Sequence, residues 1–213
     1  MTDTPSRAQK TAATRARVIE SARALFVTQG YAVTTTREVA ARAGVTERTL
    51  FNVVASKSDL LREVLKTYVF TGDYGPLLER RDFAPVLAAS TVDVFLTRYS
   101  QWVAALHAST SPIAEMTRAA APVHPGAAEA WAWGNAQQVI DLDNLARALD
   151  VRGWLRPGLS RREVGRSFAV LSGHETYWRL VVEQGWSAAS YRRWLRRHCA
   201  ADLIADPAPS PRS

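Results

Sequence analysis

The sequence predicts an all-α protein of about nine helices: an N-terminal three-helix domain, then a larger helical domain. Three observations carry this. Apolar residues recur at spacings of three and four along most of the chain, and no stretch alternates as a half-buried strand does. Helix-opening boxes stand at Thr35–Glu38, Ser56–Asp59 and Ser160–Glu163, each a hydroxyl followed three residues later by a carboxylate. Glycines 30, 44, 153 and 185 fall where periodic apolar segments stop.

Each element follows in order. Residues 1–11, with Pro5, Arg7 and Lys10, read as a flexible basic arm. A first helix spans about Ala12 to Gln29, with Val18, Ala22, Leu25 and Phe26 on one face, and ends at Gly30. A short helix opens at Thr35 and reaches Arg42 or Ala43. Gly44 and Val45 then turn the chain, and Thr46 caps a third helix, Glu47 to about Val53. Residues 12–56 form the helix-turn-helix domain, and a linking helix over 57–70 is its sole covalent connection onward. Beyond Gly72–Pro76, helices are expected at about 85–107, from Ser111–Pro112, at 127–150, at 160–184 and at 187–205. Residues 206–213, three of them proline, read as a disordered tail.

With 213 residues, the chain can bury a core without disulfide staples. No apolar run approaches a membrane span, no apolar leader opens the chain, and Cys199 is the lone cysteine. A cytoplasmic protein that meets no membrane is expected. The net charge is +7, and residues 1–66 hold eleven basic against six acidic residues. A basic module joined to a nearly neutral one points to nucleic acid once a motif supports it.

Residues 35–53 supply the motif. Two short helices joined by Ala43-Gly44-Val45 are what a helix-turn-helix requires, and Leu50 can pack back on Val39 and Ala40. The second helix then presents Glu47, Arg48, Thr49, Phe51 and Asn52 outward, sized for the major groove. Arg48 can donate twice to guanine, and Asn52 can pair both ways with adenine. Either can equally reach phosphate, which takes half or more of such contacts. Glu47, an acid beside a polyanion, is better placed to stabilise the helix start. Arg7, Lys10 and Arg15 either follow the DNA backbone or belong to a solvated arm.

The order Arg17-Val-Ile-Glu-Ser-Ala22, Leu25-Phe26, Gly30-Tyr31, Thr34-Thr35, Glu38-Val39-Ala40, Ala43-Gly44-Val45, Thr49-Leu50-Phe51, Ser56-Lys57-Ser-Asp-Leu60 strongly resembles the DNA-binding domain of TetR-family repressors over about residues 14–65. The C-terminal region more loosely resembles actinobacterial-type members through Gly153–Gly158, His174–Tyr177 and Gly185-Trp186. The resemblance implies a homodimer on double-stranded operator DNA, released when the C-terminal domain takes a small effector. It implies that Thr35 caps the second helix and touches phosphate, that Thr46 caps the recognition helix, and that Lys57 meets phosphate. Three positions depart from it. Phe51 stands where the family usually has Tyr, and Val53 and Val54 replace a His-Phe pair, removing polar contacts.

In the second domain, amides and a carboxylate interrupt aromatic stripes. Asn135 and Gln138 share a helical face with Trp131 and Leu142, and Glu175 shares one with Phe168 and Trp178. A buried Glu175 needs an arginine, water, a partner or a ligand. Tyr99, Trp102, His107, Met116, Trp131, Asn135, Gln138, Glu175 and Trp178 are the candidate lining of a site for an apolar or aromatic effector. Arg192, Arg193, Arg196 and Arg197 stand opposite Tyr191, Leu195 and Cys199, as on a solvated face. Helices 160–184 and 187–205 have apolar residues on more than one side, which suits a dimer interface.

No catalytic set, metal-ligand spacing or phosphate-binding glycine loop appears, so no enzyme, cofactor or metal is expected. The expected function is that of a sequence-specific, ligand-responsive regulator, most simply a repressor. The alternative is an architectural DNA-binding protein without an effector.

Overall fold

Local signals and burial together set the helices of the computed structural model, which describes residues 6–69 and 76–205. Its helices are α1 (Arg7–Gln29), α2 (Thr36–Ala43), α3 (Glu47–Phe51), α4 (Lys57–Val69), α5 (Ala84–Leu87), α6 (Val92–Ala120), α7 (Pro125–Val151), α8 (Arg161–Leu171), α9 (His174–Tyr177) and α10 (Ala188–Asp202). A 3-10 turn covers Leu77–Glu79, and α9 continues into a π-helical stretch, Trp178–Glu183. Among the described residues there is no strand, and one antiparallel bridge pairs Leu155 with Ile204. No described helix is long and apolar enough to cross a membrane.

Two compact units emerge: residues 1–74 with 112–134, and residues 75–111 with 135–213. The first has its own core of Val18, Phe26, Val39, Leu50, Leu60 and Leu61, to which Ile113, Ala127 and Ala130 contribute. These three buried residues explain why 112–134 belongs with the N-terminal unit, although a division at residue 71 is what the sequence suggests. The chain therefore also passes between units at 111–112 and 134–135, so the linking helix is not the sole covalent connection. The second unit's core holds Phe83, Phe95, Tyr99, Leu145, Phe168, Tyr191 and Leu195.

Several elements differ from the sequence expectation. Residues 7–11 belong to α1, because the Ser6 hydroxyl accepts from Gln9 N–H and the Gln9 side chain accepts from Ser6 N–H. Glutamine at the third position closes such a box as glutamate does. Residues 1–5 and 206–213, the rest of the arm and the tail, lie outside the described residues, as does Phe70.

The helix expected at 85–107 begins at Val92, after the single turn of α5. Ser111–Pro112 does not start a new helix, since α6 runs through it to Ala120. Proline there removes one helical N–H, but Ala108 and Pro112 are exposed, so water can reach the released carbonyl.

The 160–184 helix is broken at Ser172-Gly173. Ser160 and Glu163 form the expected box at its start. At the break, Gly173 approaches the preceding turn so closely that a Cβ would lie 2.5 Å from the Ala169 carbonyl oxygen. The break resets the helical register. Glu175, expected among apolar residues, is exposed, while His174 and Tyr177 are buried.

Gly173→Ala should therefore cost about 1–3 kcal/mol, the range for overpacking against fixed atoms. Gly134, inside α7 with nothing within 4 Å of an added Cβ, should respond oppositely. Gly134→Ala should stabilise by about 0.5–1 kcal/mol through helix propensity. Urea unfolding of both variants, with the slope checked for constancy, measures the pair.

Candidate nucleic-acid interface

The helix-turn-helix is assembled from caps. The Thr35 hydroxyl accepts from Glu38 N–H at 3.2 Å and donates to the Glu38 carboxylate at 2.9 Å, which also accepts from Thr35 N–H at 2.8 Å. These bonds hold the Glu38 carboxyl below its ordinary range. Gly44 takes the left-handed conformation (φ 65°, ψ 38°) and donates to the carbonyls of Ala40 and Ala41. Val45 N–H closes the turn on Ala40 at 3.0 Å. Thr46 accepts from Thr49 N–H at 3.2 Å, and the two hydroxyls share a 2.9 Å hydrogen bond. Val39, Ala40, Ala43 and Leu50 are buried beneath.

The predicted residues fall into two groups. Arg48, Asn52 and Phe51 are exposed, and the side chains of Arg48 and Asn52 make no ion pair or hydrogen bond among the described residues. Asn52 lies one residue past α3 as its C-cap, with its N–H donated to Arg48. Thr35, Thr46 and Thr49 instead spend their hydroxyls on caps. Thr35 has already committed its single hydroxyl proton to Glu38, so donating it to a phosphate means releasing that bond.

Lys57 is more enclosed than the resemblance implies. Its ammonium donates to the Ala32 carbonyl at 3.1 Å and lies 4.5 Å over the Tyr31 ring. Burial lowers its pKa, and the charge of Glu38 opposes that shift. Two of its three N–H donors remain for another acceptor.

Three further features were not anticipated. Glu47 accepts from the Thr36 hydroxyl at 3.0 Å and so joins the starts of α2 and α3. Arg15 does not stand free as an arm cation: it pairs with Glu63 and donates to the Val53 carbonyl. Arg37 and Arg42 on α2 are exposed, and their side chains have no such partners among the described residues. For Arg37 the signal lay in the sequence, because no carboxylate stands three or four residues away on either side.

The effector candidates are dispersed. Met116 and Trp131 belong to the first unit. In the second unit Asn135 and Glu175 are exposed and Gln138 is half-buried. Trp102 donates to Asp82 at 3.0 Å, packs edge-on to Phe83 and lies under Arg80. Tyr99 and His107 do converge, on Ser172. The Ser172 hydroxyl donates to the Phe168 carbonyl at 2.6 Å, so Tyr99 must donate to it at 2.7 Å. His107 Nε2 lies 2.8 Å from the Ser172 carbonyl, which can only accept. The proton is therefore on Nε2, and Nδ1 is a buried acceptor without a hydrogen-bond partner.

Tyr177 packs on His107 at 5.3 Å and on Tyr191 at 5.1 Å, and the buried Tyr191 hydroxyl also lacks a hydrogen-bond partner. Trp178 adjoins this group through His174, 5.9 Å away. Ser172, His174 and Tyr177 were not among the sequence candidates. Among the described residues, no group of three or more His, Cys, Asp or Glu is placed to hold a metal.

Burial brings the His107 imidazole down from 6.5 to about 4, with the Ser172 hydrogen bond opposing and His174 adding to the shift. A base depressed on folding contributes stability that is complete above the unfolded value and declines as pH falls toward the folded one. About 2 kcal/mol should thus be lost between pH 7.5 and 5. His107→Gln should flatten this dependence in urea titrations, and ring nitrogen shifts should report the Nε2–H tautomer at pH 7.

Comparison with known proteins bears on this geometry. Residues 18–64 match the family model for bacterial regulatory proteins of the tetR family. No curated protein matches the chain. Among solved structures, the SmeT–triclosan complex superimposes with a TM-score of 0.72 at 18% identity, covering 94% of this chain and 98% of SmeT. NalD of Pseudomonas aeruginosa, the secondary repressor of the MexAB-OprM multidrug efflux pump, gives 0.68 at 20%, covering 92% and 98%. The fatty acid degradation regulator FadR of Bacillus halodurans gives 0.65 at 15%, covering 86% and 93%. At these identities the likeness is one of fold.

Proposed function

We propose that this chain, whose residues 18–64 match the family model for bacterial regulatory proteins of the tetR family, is a homodimeric repressor released from its operator by a small effector. One observation carries the reading. A capped, buried two-helix support presents Arg48 and Asn52 to solvent with their hydrogen-bonding groups unengaged. Arg48 and Asn52 read bases, while Lys57 and the α2 arginines hold phosphate. Phe51, 47% exposed, offers an apolar surface to a thymine methyl or a sugar instead of a hydroxyl to phosphate. Residues 12–56 serve as the DNA-binding domain, and within 71–205 the second unit carries the effector and dimer functions. Exposed Val170 and Val182 support assembly through 160–184, with 187–205 as its second layer.

The effector reading draws on the Tyr99–Ser172–His107 group and the aromatic rings about it. Apolar surroundings with few polar groups suit a ring-containing ligand. SmeT is seen with triclosan, and NalD is named as a repressor. Both are consistent with such a regulator.

The test is selection of DNA fragments by the purified protein, followed by binding of variants. Arg48→Ala and Asn52→Ala should each relax preference at a definite base, at a cost of about 1–3 kcal/mol on the selected site. Lys57→Ala should weaken binding to all sequences alike and reduce the salt slope by about one contact. Equal losses on selected and random DNA for all three variants would remove the base-reading assignment.

A further inference from the structure

The second unit holds a cleft of about 260 Å3 between α7 and the start of α8, lined by Asp143, Arg147, Arg161 and Arg162. Its charges are unusually uncompensated. Arg161 lies 3.5 Å from Asp150, but the side chains of Arg147 and Arg162 have neither ion pair nor hydrogen bond among the described residues. Asp143 forms no ion pair with any of the three, and its Oδ1 is buried without a hydrogen-bond partner. Gly165 keeps it there. A Cβ at that position would stand 2.5 Å from Asp143 Oδ1 and 3.2 Å from the Leu142 carbonyl oxygen. The backbone of α8 thus approaches α7 closely enough to enclose one carboxylate oxygen beside three guanidinium groups.

We infer that this cleft is a binding site for a small anionic metabolite that carries a phosphate or carboxylate together with a hydroxyl or ammonium group. The anionic group takes the forked N–H donors of Arg147 and Arg162, which match its oxygens two at a time. The hydroxyl or ammonium donates to the Asp143 carboxylate where it lines the cleft. Arg161, shared with Asp150, adds charge at the margin. The volume lies just below the ~300–1,000 Å3 of drug-sized sites, which selects a compound of few carbons over a peptide or a nucleic acid strand. This site is separate in chemistry from the aromatic group around His107, and nothing in it depends on the effector reading above.

Calorimetry and thermal unfolding of the full chain at constant ionic strength test the assignment, with O-phosphoserine and inorganic phosphate as probes. Both should bind saturably, O-phosphoserine the more tightly. Arg147→Ala and Arg162→Ala should each weaken both probes about tenfold, as loss of a charge-assisted contact does. Asp143→Asn should weaken O-phosphoserine while leaving inorganic phosphate unchanged or tighter, since a like charge has gone. That opposite response separates a built site from general ion stabilisation. Circular dichroism verifies that the variants fold, which the exposure of both arginines favours. Absence of saturable binding by either probe up to about 10 mM, weaker than the usual metabolite range, would overturn the proposal. So would equal responses in wild type and the arginine variants. A change of sedimentation mass in those variants without loss of anion binding would assign the arginines to contact with a second copy instead.

Discussion

Helices of eight and five residues have no stability of their own in water, because nucleation costs more than so few hydrogen bonds return. Everything the DNA-facing surface presents depends on overcoming that constraint. The chain does so by satisfying the helix ends and by burying one face. Thr35 and Glu38 close the start of α2, Gly44 its end, and Thr46 the start of α3. Glu47 joins the two starts through Thr36. Beneath them Val39, Ala40, Ala43 and Leu50 are buried, so each helix is held against a core and not by its own length. Arg48 and Asn52 then inherit a fixed backbone while their side chains stay free to meet another molecule. A loss of Thr35 or Thr46 would reach the DNA through that backbone even if neither hydroxyl touched it.

This division explains what was legible in the sequence. The helix-turn-helix is written in local signals: a hydroxyl three residues before a carboxylate, a glycine that must take positive φ, a threonine before Glu47. Such signals act within one turn of chain. The errors fell where packing decides. Whether Ser111-Pro112 starts a helix or lies inside one depends on whether water reaches the Ala108 carbonyl. Met116 and Trp131 fall in the first unit because Ile113, Ala127 and Ala130 are buried in its core, a contact between segments distant in the chain. Glu175 moved from an apolar face to solvent because one break at Gly173 turned every residue after it. The Ser6–Gln9 box and the unpaired Arg37, by contrast, are both readable from local sequence.

The charge of the N-terminal region also means less, and more, than its sum. Several of its cations have partners within the unit: Arg15 pairs with Glu63, Arg62 with Asp59, and Arg17 and Lys57 donate to the carbonyls of Ala43 and Ala32. The exposed guanidinium groups of Arg37, Arg42 and Arg48 are concentrated on the two helices of the motif. Ion pairing of Arg15 and Arg62 thus leaves the unpaired guanidinium groups of the motif to set where the positive field is strongest. A diffuse field would attract any DNA, whereas a local one also fixes which surface arrives at the groove.

The second unit shows two different ways of leaving polar groups unsatisfied. Around Ser172 the shortage lies inside an aromatic core. One serine accepts from Tyr99, gives its proton to Phe168 and offers its carbonyl to His107, and these bonds leave a neutral imidazole nitrogen facing inward. A group placed there is recognised by donating a proton in a low-dielectric setting, where salt has little influence. At the arginine cleft the shortage lies near solvent, and recognition is by charge, which ionic strength screens. DNA binding is screened in the same way, only more steeply, because many phosphates are contacted at once. An effector acting through the aromatic group should thus change operator affinity by a factor that hardly varies with salt. One acting through the arginine cleft should lose both its own affinity and its effect as salt rises, and the ratio of the two losses distinguishes its action from simple competition with DNA for cations. Since coupling between binding sites is reciprocal, at each salt concentration the same coupling factor must be obtained whether the operator or the small molecule is titrated.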